Sequence, residues 1–374
     1  MKREKQKKLI TEELTWEQHV ICGNQSYESG RSDEALLEYD KALILNPNNS
    51  LIYHNRGILY YNMENNQQAL LDYNKAIELN PLDQKIYNNR GILYSDIGRQ
   101  EDALDDFNKA IELDPNFSDA YHNRAMLYVD LGRHQEALSD FDKAIELKAQ
   151  SNLYKNRGIL LFNLNRFDDA LKDFNEAISL KKSDSTLYLN LAISLQQLNR
   201  YEEALVQFNQ SIKLNSKDQK AYKSRGILYS NLDEIQLAIS DLTQAILLKS
   251  DDFNAYFHRG NLFLFTYQQI SIGNKINQIQ LYVILINLLD LILNIKMHMI
   301  VEVSYIQNWV KQAKLNKTSI SRLNQTQKVL FHSIIWVNNI SNIQETTQQT
   351  KKIIKKHQNI INKQYNLIQK ILFI

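Results

Sequence analysis

Between Tyr87 and Pro115 the apolar and small residues follow two helical periods. Tyr87, Gly91 and Tyr94 fall at i, i+4 and i+7, and Ala103, Phe107, Ala110 and Ile111 repeat that spacing further on. Gly98 separates the two runs, acidic Glu101 and Asp102 open the second, and Pro115 ends it. The pattern predicts two amphipathic helices joined by a tight turn. Neither helix can bury its apolar stripe alone, so the hairpin needs neighbours.

Shifting the sequence by 34 residues finds the hairpin again. The first copy runs from about Trp16 to Asn49 and carries Gly23, Gly30, Ala35, Tyr39 and Ala42. The second, 50–83, repeats them as Tyr53, Gly57, Tyr60, Ala69, Tyr73 and Ala76, and 84–117 is the third. The fourth, 118–150, has Tyr121, Ala125, Tyr128, Ala137 and Phe141. Tyr121 to Tyr154 is only 33 residues, so the turn at Lys148–Ser151 is one residue short. That shortening is expected to change the rotation between the fourth and fifth hairpins. Copies five to seven occupy 151–184, 185–218 and 219–252. An eighth opens with Tyr256, Arg259 and Gly260, but nothing like a second helix follows Thr266.

The aromatic residue, the small residue four later, the aromatic three later, and then A…F/Y…A over 34 residues resemble the tetratricopeptide repeat. The resemblance covers about 16–252 in seven copies, with a partial eighth at 253–267. It implies an all-α, right-handed superhelical solenoid of helix–turn–helix repeats. Its inner wall, made by the first helix of each pair, would bind peptides or other proteins.

The remaining chain has a different composition. Residues 1–267 carry 31 basic and 39 acidic side chains, whereas 268–374 carry 13 basic and three acidic ones and are rich in Ile, Asn, Gln and Lys. Three readings of 268–374 stay open. It is a helical extension that caps the stack, a membrane-associating tail, or the translation of an out-of-frame or unspliced A/T-rich stretch. Its most apolar part, Leu281–Ile295, is short for a bilayer span and is broken by Asn287 and Asp290, so membrane contact is not favoured. Ile353, Ile360, Leu367 and Ile371 would line an amphipathic basic helix. Residues 1–15 form a basic leader without a secretory pattern, and the single cysteine, Cys22, suits a reducing compartment. A cytoplasmic location is expected.

Three polar columns carry the candidate chemistry. Arg56, Arg90, Arg124, Arg157 and Arg225 precede the small residue, and Asp72, Asp106, Asp140, Asp173 and Asp241 follow each of them by 16. The sixth repeat lacks both, with Leu191 and Gln207, and this joint loss predicts a structural ion pair inside each repeat. An anion-binding Arg row is the alternative. The first repeat, with Cys22 and Glu38, has the acid without the base, and Cys22 is expected in the core. The second column, Asn55, Asn89, Asn123, Asn156 and Asn190, lies one residue before the Arg column. Asn is a poor helix former, so its recurrence needs a reason. By the resemblance these amides face the groove and hold an extended peptide, alongside His54, Asn88, His122 and Lys155. A merely solvated polar row is the alternative reading.

Some members of the family clamp a chaperone's C-terminal carboxylates with Lys, Asn and Arg spread over three repeats. Here Asn24, Asn55 and Lys85 match, but Val20 and Asn89 do not. A second window keeps Lys155, Asn190 and Lys220 and fails at Ile159 and Ser224. A complete clamp is not expected, because an incomplete basic set cannot compete with water for a carboxylate pair. No catalytic constellation, metal-ligand spacing, cofactor motif or nucleic-acid signature is found. The expected function is a non-catalytic scaffold capturing a peptide segment or partner helix. The alternative is a structural subunit that uses its outer ridges, with the tail as a membrane or assembly anchor.

Overall fold

A computed structural model describes residues 14–272, with side chains to 262. These residues belong to the first of the chain's two units, Met1–Asn287. The expectations for 1–13 and for the segments Leu281–Ile295 and Ile353–Ile371 lie outside the described residues.

The described residues form fifteen helices and no strand. Seven hairpins follow one another: α1 Trp16–Glu28 with α2 Ser32–Leu45, α3 Ser50–Asn62 with α4 Asn66–Leu79, and α5 Gln84–Asp96 with α6 Gln100–Leu113. They continue as α7 Ser118–Asp130 with α8 His134–Leu147, α9 Ser151–Asn163 with α10 Phe167–Leu180, α11 Ser185–Gln197 with α12 Tyr201–Leu214, and α13 Gln219–Asn231 with α14 Ile235–Leu248. Helix α15, Phe253–Ile272, is 20 residues long where the other first helices have 13. It runs past residue 267, so the composition boundary is not a helix boundary.

Each first helix ends in the same turn. The residue at the left-handed position has φ of +74, +79 and +72° at Gly30, Gly98 and Gly132. The next amide reaches back five residues, as in Arg31 N–H to the Ser26 carbonyl at 2.8 Å, satisfying a carbonyl that the helix end leaves open. Glu64 takes this conformation at φ +59° without glycine's freedom.

In the first six hairpins the core is an aromatic ring from the second helix laid on the small column of the first; in the seventh Leu242 lies on Gly226 instead. Tyr39, Tyr73, Phe107, Phe141, Phe174 and Phe208 are all buried. A Cβ on Gly91 would come within 2.7 Å of the Phe107 ring, so the column is small because the ring occupies that space. Burying each such side chain contributes about 2–3 kcal/mol. A serine clips the base of several hairpins, as where Ser118 Oγ donates to the Ala144 carbonyl at 2.9 Å.

Among the described residues successive first helices approach closely (α1 with α3, α3 with α5, α5 with α7, α9 with α11), and no successive second helices come as close. First helices therefore line the tighter inner wall. The missing residue falls in the loop between α8 and α9, and the flanking helices keep lengths of 14 and 13 residues. There the backbones of α7 and α9 do not approach as closely as those of the other first-helix pairs, although Asn156 Nδ2 still lies 2.9 Å from His122 Nε2.

Candidate functional site

Each of the five column arginines followed by an aspartate 16 residues later is held by three hydrogen-bonding arms. In Arg56, Arg90, Arg124, Arg157 and Arg225, Nε and one terminal nitrogen donate to the two carboxylate oxygens of Asp72, Asp106, Asp140, Asp173 and Asp241, at 2.6–2.8 Å. The second terminal nitrogen reaches the second helix of the preceding repeat, donating to Asp40, Asn74, Asn108, Asp142 and Asn209 at 2.5–2.6 Å. This cross-repeat arm survives the missing residue: Arg157 finds Asp142 fifteen positions back where the others find theirs at sixteen. Tyrosines three before and four after flank most of these guanidinia, as Tyr87 and Tyr94 flank Arg90 at 5.7 and 5.5 Å. Burial opposes the charge on Arg56, yet the bonds to Asp72 and Asp40 raise its pKa above the ordinary arginine value.

Two repeats depart from this arrangement. In the first, Glu38 takes a different base, since His19 Nδ1 lies 2.6 Å from it and Lys41 2.5 Å. Burial pushes the Glu38 carboxyl up, but these two bonds hold it below the usual carboxylate range. Cys22 is half-buried there rather than in the core. In the sixth repeat Leu191 is buried and offers Gln207 no hydrogen-bonding group. Asn175, which would receive the cross-repeat arm of an arginine at 191, has no such partner.

The asparagine column is not a row of free amides. Asn55 Nδ2 donates to Asn24 Oδ1 at 3.2 Å, and Asn123 Nδ2 donates to Asn88 Oδ1 at 2.8 Å. Asn89 Nδ2 lies 2.8 Å from His54 Nε2, and Asn156 Nδ2 lies 2.9 Å from His122 Nε2. Each rung ties a first helix to the one before it. His54, Asn88 and His122 share one column and all serve as acceptors: Asn88 through its amide oxygen, and the two histidines because burial lowers their pKa and keeps the rings neutral. Lys155 continues that column but has no lone pair to offer. It pairs instead with Asp184 at 3.7 Å, and among the described residues the Asn190 side chain has no hydrogen-bond partner. The ladder therefore ends at the fifth repeat. A shorter pair of rungs lies further along the same wall, where Asn62 donates to the Tyr27 hydroxyl at 2.5 Å and Tyr61 donates to Asp96.

Three residues beyond each asparagine, and beyond Ser224, stands an apolar column that the reading of polar residues missed: Ile58, Ile92, Met126, Ile159, Ile193 and Ile227. Met126 and Ile159 are 38 and 39% exposed, beside the rungs of Asn123 and Asn156. Of the clamp positions, Val20 is buried, Asn24 and Asn55 bond to each other, and Asn89 is bound to His54. Among the described residues no three His, Cys, Asp or Glu side chains converge as a metal site, and no helix is long and apolar enough to cross a membrane.

Comparison with known proteins agrees with the geometry. Models of the tetratricopeptide repeat match residues 50–82, 85–117 and 151–184, then 107–139 and 185–218, and a TPR repeat model matches 23–64. A stretch of 54 residues is 33% identical to the Hsp70-Hsp90 organising protein of Plasmodium falciparum (isolate 3D7), covering 14% of this chain and 10% of that protein. Cut9–Hcn1, an APC/C hetero-tetramer, superposes with a TM-score of 0.53 at 18% identity, over 64% of this chain and 48% of that one. PilF of Pseudomonas aeruginosa gives 0.51 at 16% identity, over 56 and 96%. YrrB, described as a TPR protein with an unusual peptide-binding site, gives 0.44 at 28% identity, over 49 and 95%. Regular hairpins with a small column under an aromatic ring, together with family models that match segments between 23 and 218, place the chain in the tetratricopeptide repeat family, whose arrays are protein-interaction scaffolds and generally non-catalytic.

Proposed function

We propose that this chain captures a peptide segment or partner helix on its first-helix wall. The supporting observation is the ladder: rungs through Asn55, Asn89, Asn123 and Asn156 fix each amide and leave each a second N–H to offer a peptide backbone; Asn55, Asn123 and Asn156 also offer a side-chain carbonyl, whereas the Asn89 carbonyl already accepts from Asn88 Nδ2 at 3.4 Å. The adjacent Met126 and Ile159 supply apolar contact for the ligand's side chains. Asn190 and Lys155, where the ladder ends, add a free amide and a cation. The Arg–Asp pairs are structural in this reading, because their hydrogen-bonding arms are spent inside the array. The partner is not a carboxylate-clamped chaperone tail, and the chain works in the cytoplasm, where Cys22 stays reduced.

The second reading is a subunit that packs through its outer ridges. Leu37, Leu71 and Val206, 55, 55 and 60% exposed on second helices, favour it. A photo-crosslinking residue at Met126 tests the groove, and one at exposed Ser139 on α8 tests the outer face. The groove reading expects the same partner captured from Met126 and not from Ser139. The reverse result would establish the outer-ridge reading.

A further inference from the structure

A cleft of about 410 Å³ lies between α8, α9 and α10. It sits on the face of α9 carrying Tyr154, Arg157 and Leu161, not the face carrying Asn156. Its origin is visible in the other repeats. In the second, third, fourth and seventh, a tyrosine four residues after the column arginine (Tyr60, Tyr94, Tyr128, Tyr229) lies 5.5–5.8 Å from the guanidinium. In the third and fourth a second guanidinium lies over the same ring, Arg99 at 4.3 Å from Tyr94 and Arg133 at 4.4 Å from Tyr128.

The fifth repeat keeps both cations and loses the ring. Leu161 stands in the tyrosine position, and Arg157, Leu161 and Arg166 all line the cleft. Both cations are held in place as in the complete repeats. Asp173 and Asp142 bind Arg157, and Asp169 binds Arg166 at 2.8 Å, as Asp102 binds Arg99 at 2.8 Å. Arg166 is 52% exposed, against 46% for Arg99 and 45% for Arg133 beneath their tyrosines.

We propose that this cleft receives an aromatic side chain, tyrosine or phenylalanine, from a partner protein, stacked against Arg157 and Arg166 as Tyr94 stacks against Arg90 and Arg99. An anion is disfavoured, because both guanidinia already have carboxylate partners and Asp142 and Glu176 stand at the rim. Among the described residues Glu176 makes no ion pair, and the lining's other cation, Lys172, is paired with Asp169 at 3.1 Å, so a basic residue beside the inserted ring completes the match. Two cation–π contacts hold a free ring only at concentrations on the order of 10 mM. The occupant is therefore a side chain tethered by a longer interface.

The seat itself is tested on the full chain with p-cresol, the tyrosine side chain, and cyclohexanol, which has the shape without the π face. The readout is the Nε–H NMR signals of Arg157 and Arg166. Cresol is expected to shift both signals with half-saturation on the order of 10 mM, and cyclohexanol to leave them unmoved. Leu161→Tyr restores the chain's own ring and should reduce the cresol response about tenfold while keeping or raising the melting temperature. Arg166→Ala, an exposed change, should also remove the response. The proposal is overturned if cresol produces no shift, if cyclohexanol matches it, if both variants respond like the parent, or if Leu161→Tyr lowers the melting temperature.

Discussion

Replacing Asp106 by alanine removes both 2.7 Å bonds that pair it with Arg90. The guanidinium left behind is only 18% exposed, and Asn74 and two tyrosine rings remain around it. Breaking a buried pair from one side costs about 3–5 kcal/mol, and the surviving bond to Asn74 puts this case near 3. Removing both partners should behave differently. Arg90→Leu with Asp106→Gln gives the third repeat the residues that the sixth already uses, Leu191 and Gln207. The double variant is expected within about 1 kcal/mol of the parent, because two desolvated charges vanish together. The third repeat is internal, so the loss in Asp106→Ala weakens both of its interfaces. Urea unfolding followed by circular dichroism gives the three stabilities. If Asp106→Ala loses less than about 1 kcal/mol, or the double variant loses as much as the single, the pair does not hold the repeat as argued.

Three further outcomes follow from the wall and the turns. Asn123→Ala should cost about 1 kcal/mol by removing the rung to Asn88, whereas Asn190→Ala should cost close to nothing; equal losses in urea unfolding would dissolve the ladder. Burial holds His54 and His122 below the ordinary 6.5, so the unfolded chain takes up their protons first as pH falls. Their contribution is complete above that value and is lost as pH drops below it. His54→Asn with His122→Asn, copying Asn88, should flatten the fall in melting temperature between about pH 7 and 5, and an unchanged slope would refute the assignment. Glu64→Gly should raise stability by about 0.5–1 kcal/mol by relieving a left-handed residue, and a loss would show that its carboxylate matters more than its backbone.

The hairpin array was legible in the sequence because its determinants are local and repeated. Small residues, rings and turn glycines recur in register, and seven copies reinforce one another. The Arg–Asp spacing could also be read, since the sixth repeat lost both members. The third arm of each arginine escaped that reading although its signal is present: Asp40, Asn74, Asn108 and Asp142 stand two residues after an acid, and Asn209 two after Gln207, in one column. It was missed because the contact crosses between repeats, where one residue's neighbour is not set by its own hairpin. The ladder is harder for the same reason. Asn89 bonds a histidine 35 positions earlier, which only the stacking distance of first helices brings close. The base for Glu38 comes from His19, an aromatic-column position with no counterpart elsewhere in the array.

The most direct test of the wall as the binding surface is the affinity of the segment cross-linked from Met126, synthesised as a peptide. It is measured by calorimetry against Met126→Glu and Ser139→Glu, both exposed changes. A charge at Met126 should weaken binding about tenfold or more, and one at Ser139 should leave it within about twofold. Loss at Ser139 with full affinity at Met126 would contradict the account and move the function to the outer face.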